Sequence, residues 1–454
     1  MATRRRLVPS VLAATALVGA GLALFNAPLT ASASQAAPVF TTLKAPSSLS
    51  NADNAGEPSL GVNGSSGALM YQSYASTYKV TVNATTGAAT WSNVTPATSS
   101  FNIDPILATD RSTGRTFAGG LAGECSALSY SDNDGASWTQ MGNACAGVLD
   151  HESIGSGPWK GAAPLGATYS RAVYYCAQNG NDACATSSNG GLTFGAPALV
   201  GGACGSLHGH VKVAPNGIAY VPSRNCSAGG VNGLGGFASR DNGLSWTSWV
   251  IPGAVTPARG FDPSLAVTTD GTVYETWARD GDAHPVVAVS SDDTAHWTKP
   301  VDLADTVSPA LTGATFTTMV AGGPGRAAVA FLGTRHQPKP GVVAIDDVDA
   351  TWDLFVSTTY DGGATWTTTQ VTTDPVQRGG ISDGGVGATS SRNLLDFMDA
   401  GVTREGRVVV AFADGCRAAT GCTSDGAKAS TSTEQYATVA YQSYGRGLFA
   451  QYDG

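Results

Sequence analysis

The chain has 454 residues, with 58 glycines, 22 prolines and only 13% charged side chains, a composition of short strands and turns rather than long helices. Its 25 basic and 34 acidic residues give a net charge of −9, which excludes the electrostatic footprint of a nucleic-acid binder and leaves no polybasic patch for anionic lipid. After the N-terminus, no stretch is long and apolar enough to cross a bilayer as a helix.

The first element is a leader. Arg4-Arg5-Arg6 precedes an apolar run from Val11 to Phe25, and small residues with Ala31-Ser32-Ala33 follow. This order predicts a secretory signal peptide over 1–33, cleaved near 33–36. Thr3 to Val8 is a loose twin-arginine match, a pattern of export after folding. Cleavage removes three arginines and no acids, leaving 22 basic residues against 34 acidic ones, a net charge of −12. The expected location is extracellular.

All eight cysteines follow the leader, as suits an oxidising compartment. Nearness in sequence favours Cys125–Cys145, Cys176–Cys184, Cys204–Cys226 and Cys416–Cys422, although eight cysteines allow 105 connectivities. Metal ligation is the rival reading, and the absence of any Cys-x-x-Cys pair weighs against it.

Val39 to Leu43 reads as a short strand able to close a sheet at the other end of the chain. Seven units then follow, each a short strand, a glycine-punctuated turn and a strand rich in Val, Tyr and Ala. They open at Glu57-Pro-Ser-Leu, Asp104-Pro-Ile-Leu, His151-Glu-Ser-Ile, His208-Gly-His-Val, Asp262-Pro-Ser-Leu, Thr317-Thr-Met-Val and Asp396-Phe-Met-Asp. The longest insertions, Gly333–Asp353 and Asp374–Arg392, lie within or after the sixth unit. Units stacked on one another do not fold alone, so residues 39–454 are expected to form one domain.

Each of the first six units ends in the same phrase or its relic. Ser239-Arg-Asp241-Asn-Gly243-Leu-Ser245-Trp246 recurs as Thr359-Tyr-Asp361-Gly-Gly363-Ala-Thr365-Trp366. Ser131 to Trp138 and Ser187 to Phe194 carry Asn for Asp, while Ser290 to Trp297 is a more worn copy and Ala84 to Trp91 keeps little beyond the Trp. The Ser or Thr and the Asp or Asn can hold backbone N–H groups in a tight turn, Gly supplies positive φ, and the aromatic buries its area at the next strand. Such a period marks stacked supersecondary modules.

The phrase resembles the Asp-box (bacterial neuraminidase) repeat of the sialidase-like β-propellers. The resemblance implies an all-β propeller of four-stranded blades, with seven blades by the unit count and six as the alternative. It places the boxes on the outer blade edge, away from any chemistry. Catalytic sialidases as a family have six blades, a Phe/Tyr-Arg-Ile-Pro opening and three arginines on the sialate carboxylate. Here Gly56-Glu57-Pro58-Ser59 stands where that opening would be sought, so the family's catalytic set has no residue-by-residue counterpart.

First strands of propeller blades line the central channel, and the residues opening them here are rich in titratable groups. Candidate catalytic residues are Asp150, His151, Glu152, His208, His210, Asp262, Asp396 and Asp399; candidate substrate-binding residues are Arg259, Arg392, Glu57 and Asp104. Such a ring could supply the two carboxyl groups of glycoside hydrolysis, and the arginines could clamp a sugar carboxylate. Each also has a bland reading. Glu57, Asp104 and Asp262, each followed by Pro, could accept backbone N–H bonds, and Arg392 could pair with an acid to tie its loop to the last blade. His208-Gly-His210 could be half a zinc site, a proton shuttle or two packed rings.

No cofactor is expected. Asp346-Asp-Val-Asp349 and Asp280-Gly-Asp282 lack the ligand spacing of an EF-hand and read as solvated loops, with a structural calcium left open. No nucleophile elbow, phosphate loop or dinucleotide fingerprint stands out. Three functions remain: a secreted sialidase-like glycoside hydrolase acting on terminal sugars, a polysaccharide lyase cleaving beside uronic acids, and a non-catalytic glycan- or protein-binding propeller, each acting as a monomer.

Overall fold

Seven antiparallel sheets follow one another along the chain, each built from four strands in up-and-down order, the sixth with one short extra strand. The computed structural model describes residues 37–453 apart from 75, 98–102, 143, 147–149, 179, 201–202, 206, 257–261, 341, 382–392, 418–421 and 423–433. The leader therefore lies outside the described residues. Among those described, no helix is long and apolar enough to cross a membrane.

The inner strands of blades 1 to 7 are Ser59–Val62, Ile103–Thr109, Asp150–Pro158, Lys212–Val213, Ser264–Val267, Gly313–Ala321 and Asp399–Val402. Each touches the next, and the seventh touches the first, so the strands ring a central channel. This is the seven-bladed β-propeller, not the six-bladed alternative. Closure comes from the N-terminus: Val39–Lys44 adds to Tyr436–Tyr444 as the outer strand of blade 7, with Leu43 opposite Val439. Segments from opposite parts of the sequence thus share one sheet, and Val39–Lys44 covers the outer edge of Tyr436–Tyr444.

The repeated turn has the hydrogen bonds that its residues allow. Asp241 accepts the Ser245 N–H (2.9 Å) and hydroxyl (2.5 Å), and Ser239 Oγ accepts the Gly243 N–H (2.7 Å). In the Asn copies the direction of one bond reverses, because the Asn133 amide donates to Ser137 Oγ (2.8 Å). The worn copy is intact in geometry. Asp292 still accepts the His296 N–H at 2.9 Å, with Thr294 at φ 67° in place of glycine. The turn aromatics pack between blades: Trp246 of blade 4 lies edge-on to Tyr174 of blade 3, and Trp366 of blade 6 lies edge-on to Tyr274 of blade 5.

The core follows the same logic. It is divided into layers, one between each pair of neighbouring blades, such as Ile106, Phe117, Ile154 and Tyr175 between blades 2 and 3. The layer between blades 1 and 2 is the smallest, centred on Met70, Leu107 and Ala118. Because every layer is shared by two sheets, no blade buries its own surface.

All four disulfides join the pairs nearest in sequence, namely Cys125–Cys145, Cys176–Cys184, Cys204–Cys226 and Cys416–Cys422. Four closed pairs fit a chain that folds outside a reducing compartment. One acidic cluster departs from the solvated loop expected of it. Asp347 is buried and accepts bonds from His336 Nε2 (3.1 Å) and the N–H groups of Lys339 (3.2 Å) and Asp349 (3.0 Å), organising the blade 6 insertion.

Candidate functional site

The ring gathers the strand-opening residues at one mouth, and the backbone there is irregular in a repeated way. Glu57, Asp104, His151, Phe316 and Leu395 all have positive φ, between 50° and 60°. These positions precede or interrupt the inner strands of blades 1, 2, 3, 6 and 7. In blades 2, 3 and 6 the ladder register shifts there, between Ile103 and Pro105, Asp150 and Glu152, and Thr315 and Thr318. Left-handed backbone costs a non-glycine residue about 1–2 kcal/mol, and bulges turn side chains out of the ladder. The result is that Asp104 and His151 leave the sheet at the rim.

Two contacts span the ring. His151 Nε2 lies 2.6 Å from Asp262 Oδ2, joining blade 3 to blade 5, with the ring of His208 edge-on to His151 at 5.5 Å. His210 Nδ1 lies 3.8 Å from Asp399 Oδ2, joining blade 4 to blade 7. Burial drives the His210 pKa down to about 4 in spite of Asp399, so the ring is neutral at neutral pH and this second contact is not an ion pair. His210 also packs edge-on against Phe397 at 5.1 Å.

Asp399 has further partners. Its Oδ2 accepts the Leu60 N–H of blade 1 (3.0 Å), while Oδ1 accepts its own neighbour's N–H at Ala400 (2.8 Å). Ser153 does the same for Val211 (2.7 Å) and Ser264 for Met319 (3.1 Å), each reaching from one blade to the next. Inner-strand N–H groups are thereby satisfied by the preceding blade, as buried donors require.

Two carboxyl groups at this mouth, Glu57 and Glu152, resist ionisation. Burial holds the Glu57 pKa well above the usual range, and the nearby Asp396 and Asp104 add to it, with a hydrogen bond between the Glu57 and Asp396 side chains. Glu57 is thereby favoured in its protonated form, able to donate in that contact. Glu152 is raised in the same way, chiefly by burial and then by Asp104. Neither of its carboxylate oxygens has a hydrogen-bond partner among the described residues. Ser126, whose hydroxyl acts against that rise, also lies 2.7 Å from the Tyr175 hydroxyl. His208 is buried with its pKa lowered by burial, its Nδ1 2.9 Å from the Gly209 carbonyl, and its Nε2 without a partner among the described residues.

Of the sequence candidates, Glu57, Asp104, His151, Glu152, His208, His210, Asp262, Asp396 and Asp399 belong to this connected set. The side chain of Asp150 and the whole of Arg259 and Arg392 lie outside the described residues. No group of three or more His, Cys, Asp or Glu among the described residues is arranged to hold a metal ion.

A second feature escaped the sequence reading. Beneath the His210–Asp399 contact the channel widens into a cavity of about 850 Å³ that reaches towards the opposite mouth. Asp110, Arg111, Arg171 and Lys212 line it. Asp110 and Arg111 follow the inner strand of blade 2, Arg171 opens the second strand of blade 3 and Lys212 opens the inner strand of blade 4, positions where polar residues are routine.

Comparison with known proteins adds the following. No model of a known protein family matches the chain, and no curated protein sequence matches it. Among solved structures, a protein of unknown function from Dyadobacter fermentans is similar at 14% identity and a TM-score of 0.44, over 89% of this chain and 98% of that one. The intramolecular trans-sialidase of Ruminococcus gnavus is similar at 12% identity and a TM-score of 0.39, over 85% and 93%. A GH74 enzyme from Niastella koreensis is similar at 13% identity and a TM-score of 0.43, over 79% and 62%.

Proposed function

We propose that this chain is a secreted glycoside hydrolase acting on terminal sugars, with its chemistry at the mouth where the inner strands begin. The observation that carries the reading is the pairing of opposite chemistries at one rim. The Glu57 carboxyl, favoured in its protonated form by burial and by its neighbour Asp396, can act as an acid. The His151 imidazole, held by Asp262 at 2.6 Å, can act as a base. With Nε2–H donated to Asp262, the basic lone pair sits on Nδ1.

In the proposed reaction His151 takes a proton from water as the water oxygen bonds to the anomeric carbon. The glycosidic C–O bond breaks, and the leaving oxygen takes the Glu57 proton. Arg259 and Arg392 are proposed to hold a carboxylate on the sugar.

The His151–Asp262 pair equally favours β-elimination beside a uronic acid, in which the imidazole removes the proton α to the carboxylate. One experiment separates the two: incubate the mature protein with sialylated and uronate-containing glycans and follow products by mass spectrometry and ultraviolet absorbance. A product carrying an added water supports hydrolysis, and an unsaturated, absorbing product replaces it with elimination. If no glycan is cut, the catalytic reading fails and the propeller is a binding module.

A further inference from the structure

The channel cavity has a charge pattern that the rim chemistry does not use. Its walls carry the aliphatic side chains of Val62, Leu107, Ile154, Val213, Met319 and Val402 from different blades, with the hydroxyls of Thr109, Ser112 and Ser156 among them. One end is spanned by His210 and Asp399. Three cations, Arg111, Arg171 and Lys212, line this channel, and among the described residues only Arg171 has an ion-pair partner.

Arg171 is the neutralised one. Its Nε lies 2.5 Å from Asp110 Oδ2, and Asp110 also accepts Ser156 Oγ (2.8 Å) and the N–H groups of Ser112 (3.0 Å) and Thr113 (3.2 Å). Asp110 is therefore saturated and has nothing left for another cation. Arg111 stacks on Phe449, 4.5 Å from the ring centre, and donates from Nη2 to the Thr403 carbonyl (2.8 Å). It has no ion-pair partner among the described residues; the nearby Glu405 is held by Arg404 at 3.0 Å. Lys212, half-buried in the inner strand of blade 4, likewise has none. An ammonium in an apolar channel is costly unless a counter-charge is supplied.

We propose that this cavity is a second site, separate from the rim, that binds a small organic anion: a carboxylate on an apolar body. The carboxylate takes the Lys212 ammonium, Arg111 at the open end draws it in, and the aliphatic walls hold the body. The cavity is large enough, since small-molecule sites commonly occupy about 300–1,000 Å³. A bare inorganic anion would leave the aliphatic part of the walls uncovered.

The test is isothermal titration of the mature protein with octanoate, octan-1-ol and inorganic phosphate. Octanoate is expected to bind one per chain, about tenfold or more tighter than either of the others, and to weaken as sodium chloride is raised. Lys212→Met should weaken octanoate about tenfold or more, and Lys212→Arg should restore it. Should Lys212→Met fail to fold, the salt dependence and the octanol comparison carry the test on the unaltered protein. Octanol binding as tightly as octanoate, phosphate binding as tightly, no octanoate binding, or a stoichiometry well above one would each overturn the proposal.

Discussion

His151 and Asp262 meet across an intervening blade: the imidazole Nε2 of blade 3 stands 2.6 Å from the carboxylate Oδ2 of blade 5, and the His208 ring of blade 4 fills the space beside them. Asp262→Asn keeps the shape but lets the amide donate to Nε2, which selects the other tautomer of His151 and moves the lone pair to Nε2. The expected outcome is a fall of about 10²-fold or more in kcat with little change in KM. Steady-state kinetics beside a thermal melt would check it, and unchanged kcat would remove His151 as base.

Asp396 acts on Glu57 by charge and by hydrogen bond, both of which raise the Glu57 pKa. Asp396→Asn removes that neighbouring negative charge, so Glu57 should lose its proton at a lower pH. If Glu57 is the acid, the alkaline limb of the pH–rate profile moves towards acid. A limb that stays in place would assign the proton to another group.

Glu275 offers a stability test remote from the rim. It is fully buried between blades 4 and 5, its Oε2 accepts Trp249 Nε1–H (3.0 Å), and its Oε1 has no partner among the described residues. Burial raises its pKa well above the usual value, so the folded state holds a proton that the unfolded chain has released. Stability from this group is therefore whole below the unfolded pKa, about 4.3, and declines by up to about 1.4 kcal/mol per pH unit until the folded pKa is passed. Glu275→Gln cannot ionise and should gain on the parent protein as pH rises through that window. Urea melts across pH would show whether the two curves diverge.

Gly243 and Gly253 share a left-handed backbone, at φ 87° and 80°, but differ in surroundings. A Cβ at Gly243 would sit 2.0 Å from Thr186 Oγ1 of blade 3, whereas one at Gly253 meets nothing within 4 Å. Gly253→Ala should cost only the backbone penalty, about 1 kcal/mol, and Gly243→Ala about 2–3 kcal/mol because the blade interface must also yield. Equal losses in denaturant melts would mean that the turn does not clamp the blades together.

Removal of Val39–Lys44 tests ring closure. Those residues pair with Tyr436–Tyr444 from Val39 opposite Tyr444 to Lys44 opposite Thr438. Without them blade 7 has three strands and an open edge, so the truncated chain should aggregate and lose a single cooperative melt. Light scattering and calorimetry would detect either loss.

Much of this was readable along the chain because the information is local. Each blade is a run of short strands closed by its own turn, so Asp241 and Gly243 announce a hairpin without help from distant residues. The cysteine pairs could be read for the same reason: Cys176 and Cys184 lie opposite one another on adjacent strands of one blade. The strand-opening acids and histidines could be named as candidates because an inner strand begins at the channel in every blade.

Their partnerships could not be read. His151 meets Asp262 across 111 residues, and His210 meets Asp399 from opposite parts of the ring, because closing seven blades into a circle sets which rim residues face each other. The same closure made Asp399 a backbone acceptor for Leu60, and made a shared chamber from Arg111 and Lys212, two residues unremarkable in their own segments. Blade identity is set by short-range hydrogen bonding and burial, which the sequence carries locally. Facing geometry across the channel is set by how many blades close the ring and in what register, and only the tertiary structure decides that.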